Sequence, residues 1–162
     1  MRTVMLLVAL LAAVGGCATT GATPERAALE RLLDQWGPAW SSGDPGKIAA
    51  LFTDDAQFED VPFGAVTRGH DELRKFVSGI FAALADVRFE VTSRFVAADG
   101  KSGALEWIFH GRQIKDVPGL PATNTPFHVR GSSVVQFRDG KIARESDYWD
   151  LTTYMKQVGL IK

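Results

Sequence analysis

Apolar residues after Thr23 recur every three or four positions, which is the spacing of a helix with one buried face. They are Leu29, Leu32, Leu33, Trp36 and Trp40. Thr23 followed by Pro24 is a typical helix start, and Pro38 predicts a kink or a shift of register. A short second helix is predicted from Pro45 to Phe52. A third, after His70, has one apolar stripe, made of Leu73, Phe76, Val77, Ile80, Phe81 and Leu84.

The remaining pattern alternates between apolar and polar positions, as it does in strands with one buried face. A short strand is predicted from Ala56 to Val61, and longer strands over Val87 to Ala97, Ala104 to Ile114 and Phe127 to Phe137. Asp99-Gly100 and Asp139-Gly140 are typical hairpin turns, and the second leads into a last strand. A closing helix is predicted from Leu151 to Gly159. Helices segregated from a run of antiparallel strands indicate the α+β class.

Several of these apolar positions are expected to form one hydrophobic core, with each side chain mostly buried. They are Leu32, Leu33, Phe52, Phe76, Ile80, Val135 and Phe137.

Composition is that of one folded domain: the chain has 162 residues, of which 46% are hydrophobic, and a formal net charge of -1. This balance argues against binding to nucleic acid, which requires a basic surface. The histidines His70, His110 and His128 form no metal-binding motif, so neither a metal nor a cofactor is expected.

The N-terminal segment resembles a bacterial lipoprotein signal. Arg2 precedes an apolar run from Val4 to Val14, which is too short to span a bilayer comfortably. The following Val14-Gly15-Gly16-Cys17 is similar to a lipobox, which implies that residues 1–16 are removed and that Cys17 is lipidated.

A tether then reaches residue 23, and the folded domain spans 24–162. The expected location is the bacterial envelope, with the lipid in a membrane. Ala18 favours the outer membrane, facing the periplasm. The alternative is a plain secretory signal followed by a free cysteine.

Three stretches together resemble the SnoaL-like superfamily. They are WSSGDPGKIAALFTDDAQFEDVPFG (Trp40 to Gly64), RGHDELRKF (Arg68 to Phe76) and GSSVVQFRDGKIARESDYWD (Gly131 to Asp150). This superfamily, related to nuclear transport factor two, includes polyketide cyclases and ketosteroid isomerases. The resemblance implies an α+β cone, in which a curved mixed or antiparallel sheet wraps around a long N-terminal helix. It also implies an open pocket and a homodimer.

The same resemblance indicates which residues face the pocket. Asp60 matches the general base of ketosteroid isomerase. That enzyme also has two oxyanion donors, and the matching positions of this sequence hold Trp36 and Ser133 instead. Asp147 fits the acid/base aspartate of SnoaL-type cyclases. Glu145 and Trp149, each two residues from Asp147 on the last strand, are expected on the same face.

Each candidate also has a purely structural interpretation. Asp147 could pair with Arg130 or Arg144, Asp60 could cap a turn before Val61-Pro62, and Glu145 could form an ordinary salt bridge. Aromatic residues are expected to line the pocket as a group: Trp36, Trp40, Phe63, Trp107, Phe109 and Trp149. Such a wall favours a flat or hydrophobic ligand.

Two functions are consistent with this sequence. One is general acid-base catalysis by Asp147 and Asp60 on a small hydrophobic compound, by isomerisation, cyclisation, dehydration or hydrolysis and without a cofactor. The other is a non-catalytic lipoprotein that binds a hydrophobic ligand or a partner protein.

Overall fold

A computed structural model describes residues 23–162, which form four helices and a six-stranded sheet. The predicted signal segment, Cys17 and most of the predicted tether lie outside the described residues. The elements in chain order are α1 (Pro24–Ser42), α2 (Pro45–Ala49), β1 (Phe52–Asp60), β2 (Ala65–Arg68), α3 (Gly69–Phe81), β3 (Leu84–Val96), β4 (Ser102–Gln113), β5 (Pro126–Arg138), β6 (Lys141–Trp149) and α4 (Leu151–Gln157).

The sheet has the strand order β2-β1-β6-β5-β4-β3, with every neighbouring pair antiparallel except β1 and β6, which run parallel. The last strand therefore lies in the middle of the sheet, between β1 and β5. Helix α1 packs against β3, α3 packs against β1 and β2, and α4 packs against β5. The predicted α+β cone is confirmed.

Helix α1 begins and continues as its local chemistry dictates. The Thr23 side chain accepts a hydrogen bond from the Arg26 amide at 3.2 Å, and Gly43 ends the helix in the left-handed conformation. The helix runs through Pro38 without interruption, because packing of its buried face against the sheet outweighs the missing backbone donor.

The predicted core is only partly correct. Leu33, Phe52 and Val135 are fully buried. Leu32, Phe76, Ile80 and Phe137 are only half-buried. Phe76 and Ile80 are less covered than expected because they face an open cavity instead of packed side chains.

Candidate active site

A cavity lies between the concave face of the sheet and helices α1, α3 and α4. It offers about 90 Å³ to the centres of water-sized molecules. One water needs roughly 10–15 Å³ of such space, so the cavity has room for a small organic molecule. Its walls are apolar and mostly aromatic, including Trp40, Phe58, Phe89, Trp107 and Phe109, while Asp60 and Asp147 supply the charged groups.

Asp60 ends β1 at the wall of this cavity. Its Oδ1 accepts hydrogen bonds at 3.2 Å from the Trp149 indole nitrogen and at 3.2 Å from the Phe63 backbone amide. The second bond is the turn-capping role expected of an aspartate before Val61-Pro62. Oδ2 has no donor among residues 23–162, so this oxygen remains available to a ligand.

Asp147 lies directly beside Asp60, because the two residues are in register on the parallel strands β1 and β6. Such strands are roughly 4.8 Å apart. The Ser133 hydroxyl donates to Asp147 Oδ1 at 2.6 Å and itself accepts from the Trp107 indole at 2.9 Å. Asp147 is therefore held by a chain of hydrogen bonds that begins at an aromatic wall residue.

Glu145 lies one layer deeper, with an exposed fraction of 0%. The Trp36 indole donates to Glu145 Oε1 at 2.9 Å, whereas Oε2 is buried and accepts no hydrogen bond from the described residues when both carboxyls are ionised. The carboxyl group of Glu145 interacts directly with that of Asp147.

Burial shifts all three carboxyl groups toward their protonated forms. Burial raises the pKa of Asp60, although the bonds from Phe63 and Trp149 oppose the shift. Burial also raises the pKa of Glu145, to about 7, against the hydrogen bond from Trp36. Burial and the charge of Glu145 hold the pKa of Asp147 well above its usual value.

The opposite end of the cavity has a polar pair that the sequence analysis did not identify. The Tyr154 hydroxyl donates to Gln113 Oε1, and Gln113 Nε2 donates to the backbone oxygens of Lys115 and Leu120 at 3.0 and 2.7 Å. Gln113 thereby ties the loop between β4 and β5 to the sheet. Its inward position, two residues beyond Gly111 on the apolar face of β4, was the available signal in the sequence.

The predicted pocket residues divide into two layers. Five of them line the cavity: Trp40, Phe63, Trp107, Phe109 and Trp149. In contrast to the prediction, Trp36, Ser133 and Glu145 lie behind this wall, where their polar groups bind one another or Asp147.

The arginines considered as partners of Asp147 belong to the opposite face of the sheet. Arg144 lies 3.5 Å from Glu59, and Arg130 borders a groove there with Tyr148. The described residues contain no ion pair to Asp147 or Glu145, and no group of three or more potential metal ligands. None of the helices in this part of the chain is long and apolar enough to cross a membrane.

Fold and site together define a class of protein: an α+β cone whose inner cavity combines aromatic walls with buried carboxyl groups. Residues 29–145 match the family model described as the SnoaL-like domain, and the chain belongs to this family. No curated protein matches the chain.

Solved structures resemble the fold over most of its length. A protein from Catenulispora acidiphila with a ketosteroid isomerase-like fold, in complex with trimethylamine, is 25% identical with a TM-score of 0.68, over 79% of this chain and 92% of that one. TsrD from Streptomyces laurentii is 24% identical with a TM-score of 0.73, over 84% of this chain and 98% of that one. A candidate polyketide cyclase from Xanthomonas campestris is 21% identical with a TM-score of 0.73, over 83% of this chain and 98% of that one.

Proposed function

We propose that the protein is a cofactor-independent enzyme that moves a proton on a small, mostly apolar carbonyl compound. The observation that carries this proposal is the pair Asp60 and Asp147, which are neighbours in one apolar cavity but have different surroundings. Two carboxyl groups whose pKa values are driven apart by their surroundings are suited to opposite roles, one as base and one as donor.

Asp60 is the candidate base. It is half-buried, receives two hydrogen bonds that favour its ionised form, and keeps Oδ2 free of donors in the described part of the chain. Asp147 is the candidate donor, because deeper burial and the nearby Glu145 keep it neutral. A substrate C–H bond directed at Asp60 would lose its proton while the carbonyl oxygen accepts a hydrogen bond from Asp147. Return of the proton from Asp60 to another carbon completes an isomerisation.

Trp40, a residue of the cavity wall, has an unpaired donor. The Trp40 indole nitrogen is buried and has no hydrogen-bond partner among residues 23–162. An unpaired buried donor costs stability, and because this nitrogen is closed to water-sized molecules, a ligand would reach it only if the wall moved. The apolar lining supports a hydrophobic body for that ligand.

Deuterium exchange tests this proposal without knowledge of the natural substrate. Cyclohexanone and tetralone are incubated with the protein in deuterated water, and loss of the signals of the protons next to the carbonyl is followed by NMR. We expect exchange above the buffer rate, and a decrease of about 100-fold or more in Asp60→Asn, the scale of a general base. Asp54→Asn is the matched control, because this carboxylate on the same strand is exposed. Unchanged exchange in Asp60→Asn would exclude Asp60 as the base.

The second candidate function is binding without catalysis. The complex of the Catenulispora protein with trimethylamine supports it, because that protein holds a small organic molecule. Ketones that bind in the cavity, but whose protons do not exchange faster than in buffer, would favour this function.

We also propose that the mature protein is attached to the bacterial envelope through a lipid on Cys17, in the outer membrane facing the periplasm. The support is the sequence from Arg2 to Ala18. Several acyl chains, at roughly 0.8 kcal/mol for each buried CH2 group, would make the attachment durable.

A further inference from the structure

Glu145 and Asp147 are an unusual pair of side chains for the interior of a sheet. Both project from β6 toward the concave side, and they are 0% and 7% exposed. Their hydrogen-bond donors are neutral groups, the Trp36 indole and the Ser133 hydroxyl. Burial removes most of the water that would otherwise stabilise two negative charges at this spacing.

Among the described residues, no element packed on this pair directs a positive charge at it. Helix α1 contributes Trp36, β4 contributes Trp107 and β5 contributes Ser133. The only other charged group that faces the pair from the described elements is Asp60 on β1, which is also acidic. Two adjacent carboxylates without a cation repel each other strongly in a buried site, so the pair retains a proton.

The arrangement determines which carboxyl holds that proton. Asp147 lies between the other two acids, with Glu145 two residues away on its own strand and Asp60 in register on β1. Each neighbouring charge favours the neutral form of Asp147. Glu145 instead accepts a hydrogen bond from the Trp36 indole at Oε1, and this bond favours its ionised form.

We propose that Glu145 is a positioning residue whose buried carboxylate keeps the proton on Asp147. This inference rests on the proposed function, in which neutral Asp147 donates to the ligand. Complete transfer of that proton to a ligand would leave two adjacent carboxylates, so Asp147 donates a hydrogen bond and keeps its proton through the reaction. Glu145, which does not touch the cavity, would thereby determine the pH range in which the site works.

The tryptophans of the chain provide reporters for this test. The Trp36 indole bonds Glu145, the Trp149 indole bonds Asp60, and the Trp107 indole reaches Asp147 through Ser133. The fourth, Trp40, has no partner in residues 23–162 and serves as the reference in the ligand-free protein. Nitrogen-15 shifts of these indoles and carbon-13 shifts of aspartate carboxyls are followed from acid to alkaline pH.

The decisive variant is Glu145→Gln, which removes the charge but keeps an oxygen for Trp36. We expect the titration midpoint of Asp147 to decrease by at least about one pH unit, the scale that defines interacting acids. The matched control is Glu59→Gln, whose carboxylate lies on the opposite face of the sheet, with Arg144 and Ser146. A midpoint that stays constant or rises in Glu145→Gln, or that decreases as much in Glu59→Gln, would overturn the proposal.

Asp147→Asn gives a second test that does not require Glu145→Gln to fold. The Trp36 indole of the wild-type protein should report two steps, one for each carboxyl of the pair, and only one step in Asp147→Asn. Two remaining steps would contradict the pairing. These measurements do not depend on turnover, so absence of ketone exchange would reject the proposed function while the titrations still decide the role of Glu145.

Discussion

Asp60, Glu145 and Asp147 make the stability of the folded protein depend on pH. Their pKa values are raised above those of the unfolded chain, about 3.9 for Asp and 4.3 for Glu. Between the unfolded and the folded pKa values the native state binds more protons, so stability decreases as pH rises through this window. The free energy of unfolding should therefore increase when the pH is lowered from about 8 to about 5.

Asp147→Asn should reduce this dependence, because the variant keeps the shape of the side chain but cannot ionise. At pH about 8 it should be as stable as the wild-type protein or more stable, because wild-type Asp147 must either keep a proton that the unfolded chain releases or bury a charge, and both lower stability. Urea unfolding of both proteins at several pH values measures the difference. The lowered pKa of His110 acts in the opposite direction but equally in both proteins, so it cancels. Identical pH dependence in the two proteins would show that Asp147 holds no proton in the folded protein over this range, which would contradict its raised pKa.

Among single residues, the sequence predicted which side chains face inward but not which ones bond each other. The assignment of Asp60 and Asp147 to one site was predicted from the family resemblance alone. The two residues are distant in the chain and meet only through the parallel pairing of β1 and β6. Trp149 was expected beside Asp147, yet its indole bonds Asp60. Such contacts depend on side-chain direction in three dimensions, which a two-residue period does not determine.

The face presented by β6 depends on a register shift near Ala143. Gln136 pairs with Arg144 while Phe137 pairs with Ile142, so one extra residue lies in β6. Strict alternation from the buried Ile142 would turn Glu145 and Asp147 outward. The irregularity makes Ile142 and Glu145 face the same side, and it has no signature in the sequence.

Other element boundaries differ for a local reason. The second helix was predicted to reach Phe52, but it ends at Ala49, and β1 begins at Phe52. A short apolar run such as Leu51-Phe52 suits a buried helix end and a buried strand equally well. The long strands, which have many alternating positions, agree with their predicted bounds to within a few residues.

Strand β5 contains a glycine that makes room for the Trp107 ring. A Cβ atom at residue 131 would overlap the six-membered ring of Trp107. Gly131→Ala should therefore push this indole away from Ser133 and lower stability by about 1–3 kcal/mol, the usual cost of overpacking. Urea unfolding and the Trp107 indole NMR shift measure the two effects. Ser132→Ala, next to it on the other face of the strand, should change neither; an unshifted Trp107 signal in Gly131→Ala would contradict this packing.

At the scale of the whole molecule, the outer face of the sheet has an apolar patch. Phe95, Val134 and Tyr148 are 59%, 50% and 49% exposed, and Ala104 lies in register between the first two. A contiguous exposed apolar surface is typical of an interface. We propose that two copies associate through this face, as the family resemblance implies.

A charged residue in the patch should separate such a dimer. Val134→Lys is expected to give monomers in light scattering at micromolar concentration, while the wild-type protein gives dimers. Lys141→Ala, at the half-buried start of β6, is the control for a change of charge. A wild-type protein that is monomeric under these conditions would contradict the proposal.

Under the lipoprotein proposal, attachment to the envelope depends on one side chain, the thiol of Cys17. Cys17→Ala should leave the full-length precursor uncleaved, because lipidation is the step that permits removal of residues 1–16. Mass spectrometry and fractionation of expressing bacteria measure both effects. A mature protein of normal size in the aqueous fraction of this variant would contradict the lipoprotein proposal.

The position of β6 between β1 and β5 has a consequence for the order of events during synthesis. A ribosome produces the other five strands of the sheet before residues 141–149 exist. Until then β1 and β2 have no partner strand that connects them to β3, β4 and β5, so the emerging chain cannot complete its sheet. Closure of a contact between strands so far apart in the chain is also intrinsically slow. A chain that completes its sheet late stays unfolded longer, which would suit the export proposed above, because a chain passes through a narrow membrane channel before it folds.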